Sequence, residues 1–217
     1  AGEHRVGIAF SEAINRRNDA RVEARDSRLF GKSLFAFDAV ADSYLVADQN
    51  KHLYLVAAQD PGLTRTHLTT VDKTRRTVEL TYDDVAAQCI STDVGVFERV
   101  LDIGRVAIAA DTLGAAQNML DQAVAYAKQR EQFNRPIGSF QAVKHMCAEM
   151  AAQLEPCRSM VWFAGHALAE LPKEARVTAC HTKAHLAEVA QFVAKTATEV
   201  HGGMGFTDLV GLHYWFK

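Results

Sequence analysis

Two short segments carry residue types that could hold a ligand. The first runs from Tyr126 to Gln141 (YAKQREQFNRPIGSFQ). It places Arg130 and Phe133 ahead of a proline turn at Pro136, then Phe140 and Gln141 at the start of a new element. A guanidinium can grip a phosphate through two parallel hydrogen bonds. A Phe ring can lie against a heteroaromatic ring, and a Gln amide can bond its edge. On physics alone, a helix hairpin with a charged tip explains the same residues more simply. The second segment runs from Glu199 to Phe206 (EVHGGMGF). Its glycines offer backbone amides and positive φ at a helix end, where a phosphate could approach. A plain helix cap accounts for Gly202 but not for Gly203 and Gly205 as well. A third pattern, His181 and His185 with Cys180 and Glu188 nearby, sets two imidazoles one helical turn apart. That spacing can bind a metal, but no third ligand is forced, so a polar helix face is the favoured reading and no metal site is assigned. No Gly-x-Ser-x-Gly elbow, Walker loop or dinucleotide fingerprint occurs.

The 217 residues hold 24 Lys+Arg against 26 Asp+Glu, a formal charge of −2, with 48% hydrophobic and 23% charged residues. That balance fits a globular chain and excludes long disorder. It also excludes a nucleic-acid binder, which needs an excess of positive charge to neutralise phosphates. No apolar run approaches the ~20 residues of a membrane-spanning helix. Cys89, Cys147, Cys157 and Cys180 are scattered without disulfide or zinc spacing, and read as buried thiols. A reducing compartment, the cytoplasm, is the expectation, since Ala1–Glu12 has no basic start followed by an apolar core. The chain opens on Ala1 and stops at Tyr214-Trp215-Phe216-Lys217 without a polar tail, which reads as a piece of something longer.

The elements that must position the two segments have different periods. The first ~84 residues read as short strands: Val6–Phe10, Arg21–Ala24, Ser33–Phe37, Tyr44–Ala47, His52–Ala57, Thr64–Leu68 and Thr77–Tyr82. Turn signals at Asp26–Ser27, Asp38, Asp48–Asn50, Asp60–Gly62 and Asp72–Lys73 separate them. This predicts a small antiparallel β-barrel or sandwich. From Asp93 the apolar positions Val96, Val100, Ile103, Ala107, Ala110 and Leu113 step by three and four, as a helix requires. The pattern runs through Leu120, Val124 and Ala127 towards Phe133. Further helices are expected at Phe140–Leu171, with Pro156 as a kink, and at Lys173–Val200, with another element after Thr207. The fold class is therefore α+β, a β domain over 1–92 followed by an up-and-down antiparallel helical bundle over 93–217. Small residues at Ala107, Ala110, Gly114 and Ala115 suggest close helix contact, and part of the apolar surface is expected to meet another subunit.

These segments, in this order, resemble a known family. Arg105–Gln141 followed by HGGMGF at 201–206 is similar to the C-terminal helical domain of acyl-CoA dehydrogenases. The first half resembles the same family's middle β domain through GIAFSE at 7–12, Gly31–Lys32 and ADSYLV at 41–46. The resemblance covers essentially the whole chain, and its motif Arg-x-Gln-Phe-x-x-Pro-Ile-x-x-Phe-Gln is specific to this family. It implies a protein of three domains, usually tetrameric. The N-terminal helical domain and the last part of the C-terminal one are then absent here. It further implies FAD as cofactor, an acyl-CoA substrate and an electron-transfer flavoprotein as electron acceptor. By position, Arg130, Gln132 and Phe133 would contact the FAD of a neighbouring subunit, with Ile137, Phe140 and Gln141 beside them. Glu199, Gly202 and Gly203 would approach its diphosphate, and Ser11 would touch the bound flavin. Leu101, Asp102 and Arg105 match positions that meet the acyl-CoA.

The departures from the family are informative. Glu199 stands where the family usually has Gln, and an anion repels phosphate. The flavin loop, usually Ser/Thr-Glu-Pro-x-x-Gly-Ser-Asp, has lost its proline and glycine and carries Arg16–Arg17. The Trp and Thr that usually meet the flavin ring fall at Leu34 and Ala36. The catalytic Glu lies in most members beyond the last residue here, and in a minority at the position of Gly104, so no catalytic residue is assigned. Two expectations follow. One is a working dehydrogenase that converts an acyl-CoA to the trans-2-enoyl-CoA. The other is a non-catalytic subunit that completes a partner's FAD site, in a homotetramer or a heterotetramer with a homologous subunit. Some bacterial steroid side-chain dehydrogenases, which pair an active with an inactive subunit, are similar to the second.

Overall fold

Asp-rich turns fold the first part of the chain into a sheet. The computed structural model describes residues 3–14, 20–72 and 74–216. The chain divides into two compact units, Ala1–Arg99 and Val100–Lys217. The first contains β1 (Val6–Ala9), a one-turn helix α1 (Ser11–Ile14), β2 (Val22–Arg25), β3 (Arg28–Phe37), β4 (Ser43–Ala47), β5 (Leu53–Ala57), β6 (Leu63–His67), β7 (Thr77–Ala86) and β8 (Gln88–Ser91). The strands line up as β6-β7-β3-β1-β4-β5-β8, with β2 also paired to β3. Among the described residues the outer strands β6 and β8 do not pair, so the sheet is sandwich-like and not a closed barrel. One pairing departs from the antiparallel expectation. Strand β1 runs parallel to β4, Val6 opposite Ser43 through Ala9 opposite Val46. The segment from 10 to 42, which includes the β2–β3 hairpin, supplies the long connection that a parallel pair demands.

The turns explain the register. Asp26 and Ser27 both take positive φ, 47° and 61°, the two-residue turn whose twist matches a hairpin. Asp48 Oδ1 accepts hydrogen bonds from the backbone amides of Asn50 and His52, each at 2.8 Å, and so closes the β4–β5 turn. Gly31 sits at φ +109°, and a Cβ there would lie 2.1 Å from the Arg21 carbonyl oxygen, so only glycine fits. The buried face joins Val22, Leu29, Ala36, Tyr44, Val46, Val56, Val78, Leu80 and Val85 in one cluster. Two buried hydroxyls are satisfied: Tyr82 donates to Ser33 Oγ, and Tyr44 to the Asp38 carbonyl.

The second unit is a helical bundle. Helix α2 (Val94–Gln129), which starts within the first unit, is capped by Asp93, whose carboxylate accepts the Gly95 amide at 2.8 Å. Helices α3 (Gln141–Glu170) and α4 (Pro172–His201) follow, then a short α5 (His213–Phe216). Pro156 lies inside α3, and Pro172 opens α4 at its first turn, where its missing amide costs nothing. The core takes Ala109, Ala116, Met119, Leu120 and Ala123 of α2, Met150 and Leu154 of α3, and Leu186, Val189 and Val193 of α4. The small-residue stripe expected to lie against other helices does not face this core. Ala107, Ala110 and Gly114 are exposed, while Val106, Ala109 and Ala116 face inward. The helix is apolar on more than one side, so the period alone did not fix which side turns in. The cysteines differ too. Cys89 is exposed, Cys157 is buried, and burial pushes the Cys147 and Cys157 thiols up from their ordinary pKa. Among the described residues no helix is long and apolar enough to cross a membrane, and no group of three or more His, Cys, Asp or Glu could hold a metal ion.

Candidate functional site

The bundle brings the two glycine- and arginine-bearing segments to one end. Helix α2 was expected to run towards Phe133, but it stops at Gln129. The chain then forms a miniature hairpin, β9 (Glu131–Gln132) with β10 (Arg135–Pro136). The Arg130 amide bonds back to the Tyr126 carbonyl, and the Ile137 amide to the Arg130 carbonyl, both at 2.8 Å. Phe133 and Asn134 form the tip, at φ 55° and 61°. Left-handed backbone costs an ordinary residue about 1–2 kcal/mol. Here it holds a Phe ring that is 87% exposed, with only an edge contact to Phe140 at 6.0 Å. Positive φ at both positions is what a two-residue hairpin turn requires, as at Asp26–Ser27. The Arg130 side chain is exposed and has no partner among the described residues. Gln132 Nε2 donates to the Glu131 carbonyl, and Gln141 Nε2 to His145 Nε2. Ile137 packs on the bundle core, and the guanidinium of Arg135 lies 4.0 Å from the Phe140 ring centre. Nothing in the sequence singled out Arg135 for that stacking.

The second segment faces the same end. His201, the last residue of α4, is 4% exposed, and its ring stacks on Tyr126 at 4.6 Å. Gly202 then leaves the helix at φ +58°, with its amide on the Glu199 carbonyl. Residues Gly202–Phe206 make a 3₁₀ turn. The glycines differ in what they need. A Cβ on Gly205 would lie 2.8 Å from the Thr198 carbonyl oxygen and 3.2 Å from His201 Cβ, so packing requires glycine there. A Cβ on Gly203 would meet nothing within 4 Å, and its φ is not positive. The fold therefore leaves the Gly203 backbone open to something outside the unit. The Glu199 carboxylate is exposed, so water screens its field to about 1 kcal/mol against a unit charge at ~4 Å.

Leu101, Asp102 and Arg105 lie on α2 in the same unit. Asp102 is buried and bridges two cations, Arg105 Nη1 on Oδ1 and Arg176 Nε of α4 on Oδ2 at 3.3 Å. Arg105 is the i, i+3 neighbour of Asp102 on the same helix, while Arg176 lies 74 residues away. Leu101 is half-buried. Ser11 belongs to the first unit, half-buried at the start of α1. On β3 the resemblance gave Leu34 and Ala36 to the flavin ring, but Ala36 is fully buried in the sheet's core. A register shift between Ser33 and Ala36 turns Phe35 and Phe37 outward instead, 39% and 54% exposed. Arg16–Arg17 lie outside the described residues.

An exposed, unpaired guanidinium and an exposed aromatic on one hairpin, with an open glycine turn at the same end of the bundle, fit a phosphate-bearing ring compound such as FAD. Residues 94–217 match the model of the acyl-CoA dehydrogenase C-terminal domain, and the chain belongs to the acyl-CoA dehydrogenase family. The caffeyl-CoA reductase–Etf complex subunit CarC of Acetobacterium woodii is 37% identical over 50% of this chain and 28% of its own length. Probable acyl-CoA dehydrogenase YngJ of Bacillus subtilis is 35% identical over 73% of this chain and 43% of its own length. The chain thus spans less than half of these relatives. The crystal structure of the ChsE4–ChsE5 complex from Mycobacterium tuberculosis superposes with a TM-score of 0.82 and 28% identity, over 99% of this chain and 60% of that one.

Proposed function

We propose that this chain is part of a FAD-dependent acyl-CoA dehydrogenase, in which 1–92 is the middle domain and 93–217 the C-terminal domain. The reaction is α,β-dehydrogenation of an acyl-CoA thioester to the trans-2-enoyl-CoA. FAD, when bound, accepts the hydride; an electron-transfer flavoprotein takes the electrons onward, a partner supported by the name of the CarC relative. The Arg130 guanidinium would neutralise the diphosphate of a neighbouring subunit's FAD and the open backbone of Gly203 would approach it, with Gln132, Phe133, Ile137, Phe140, Gln141, Glu199 and Gly202 around it. Ser11 contacts a flavin from the sheet unit. Arg105, held in place by Asp102, and Leu101 receive the acyl-CoA. Such a site needs a second chain beside this one, consistent with the tetramer the resemblance implies, and the cytoplasm would keep the four cysteines reduced.

The observation that carries this reading is the exposed, unpaired Arg130 and the exposed Phe133 on one hairpin, at the same end of the bundle as the open Gly203. Arg130→Ala in the assembled protein removes a charge-assisted phosphate contact worth about 1.5–3 kcal/mol, so FAD content after dialysis should fall. Unchanged flavin content refutes the placement. One observation favours a second reading, a non-catalytic subunit that completes its partner's FAD site. The outward residues of β3 near its end are Phe35 and Phe37, with no hydroxyl to bond a flavin ring. The similarity to a complex of two differently named chains supports a heteromer. Protein that is colourless alone and yellow only with a homologous partner would select this reading.

A further inference from the structure

We infer that His201 and Tyr126 form a clasp that sets the spacing between Arg130 and the open backbone of Gly203, so that both reach one diphosphate. The inference rests on the FAD reading above. Its evidence is the position of the His201 ring. The ring lies at 30° to Tyr126 with centres 4.6 Å apart and is 4% exposed. Its Nδ1 bonds the Ala197 carbonyl at 2.7 Å; a carbonyl only accepts, so Nδ1 carries the hydrogen. Tyr126 is tied to the first segment, because its carbonyl accepts the Arg130 amide that starts the hairpin. His201 is tied to the second, because Gly202 follows it directly and the Gly205 backbone packs against its Cβ. A shift of this one imidazole therefore displaces Arg130 and Gly203 relative to each other. A diphosphate held between separate elements is sensitive to such sub-ångström spacing. His201 is thus a positioning residue, which touches no ligand itself.

The test measures FAD dissociation constants of the assembled protein by fluorescence, alongside the melting temperature of the flavin-free form. Four variants are compared: His201→Ala, His201→Phe, Arg130→Ala and Leu154→Ala. Leu154 is buried in the same bundle on α3, and serves as a purely destabilising control. His201→Ala is expected to weaken FAD by tenfold or more. His201→Phe keeps a ring for the stack and should restore affinity to within about threefold. Leu154→Ala should lower the melting temperature at least as much while leaving FAD affinity within twofold. Equal loss of affinity in Leu154→Ala, or no loss in His201→Ala, overturns the clasp. If Arg130→Ala also leaves affinity unchanged, the FAD reading has failed. If Arg130→Ala weakens binding and His201→Ala does not, the clasp alone is wrong.

Discussion

Gly203→Ala separates a glycine kept for the fold from one kept for a ligand. A methyl group at 203 would meet nothing within 4 Å, and the backbone there is not left-handed. The folded chain therefore accepts alanine without strain, while the unfolded chain loses freedom. Such a change stabilises by about 0.4–1 kcal/mol, or roughly 1–4 °C in melting temperature for a chain of this size. Against that gain, the methyl would stand where a phosphate is expected to meet the backbone. Losing hydrogen bonds to a charged group costs about 1.5–3 kcal/mol, so FAD affinity should fall roughly tenfold to a hundredfold. Gly205→Ala should do the reverse of the first effect. Its methyl would press on the Thr198 carbonyl oxygen at 2.8 Å and Thr198 Cγ2 at 3.1 Å. Overpacking of that kind costs about 1–3 kcal/mol. The assay is thermal melting of the flavin-free protein followed by FAD titration of each variant. A Gly203→Ala protein that melts higher and binds FAD within twofold of wild type would falsify the claim that the open space is for the cofactor.

Two further outcomes follow from the charges. Asp102→Asn leaves Arg105 and Arg176 facing each other without their shared anion. Breaking a fully buried pair costs about 3–5 kcal/mol, but these arginines are 33% and 46% exposed and solvent screens them. Urea unfolding should therefore show a loss of about 1–2 kcal/mol, and a double-mutant cycle with Arg176→Ala should show coupling; additive effects refute the bridge. Glu199→Gln removes the negative charge beside the glycine turn and should tighten FAD by a few-fold, since about 1 kcal/mol of repulsion is relieved. Weaker binding in that variant would show that Glu199 contacts the cofactor favourably.

Much of the fold was legible because hydrophobic period and turn residues act locally. The seven expected strands all form, and the three long helices begin and end within a few residues of where the prolines and glycines placed them. What was not legible depended on pairing across the chain. The strand Gln88–Ser91 has no strong alternation and exists because β5 pairs with it. The parallel β1–β4 pairing needs a long connection that no local pattern announces. On β3 a bulge reversed which residues face outward, so a resemblance counted along the chain landed on Ala36 when Phe35 and Phe37 are exposed. At the site, Arg130 and the glycines were readable from residue type. The Tyr126–His201 stack and the Arg176 contact to Asp102 were not, because helix packing in three dimensions creates them.

On the reading proposed above, this chain serves the oxidation of an acyl-CoA by FAD. The most direct measurement loads the assembled protein with FAD and mixes it, without oxygen, with a series of acyl-CoA thioesters of different chain length. At least one thioester should bleach the flavin's visible absorbance, with the matching enoyl-CoA as product. A protein that holds FAD yet keeps it oxidised with every thioester, with or without a homologous partner chain, would contradict it.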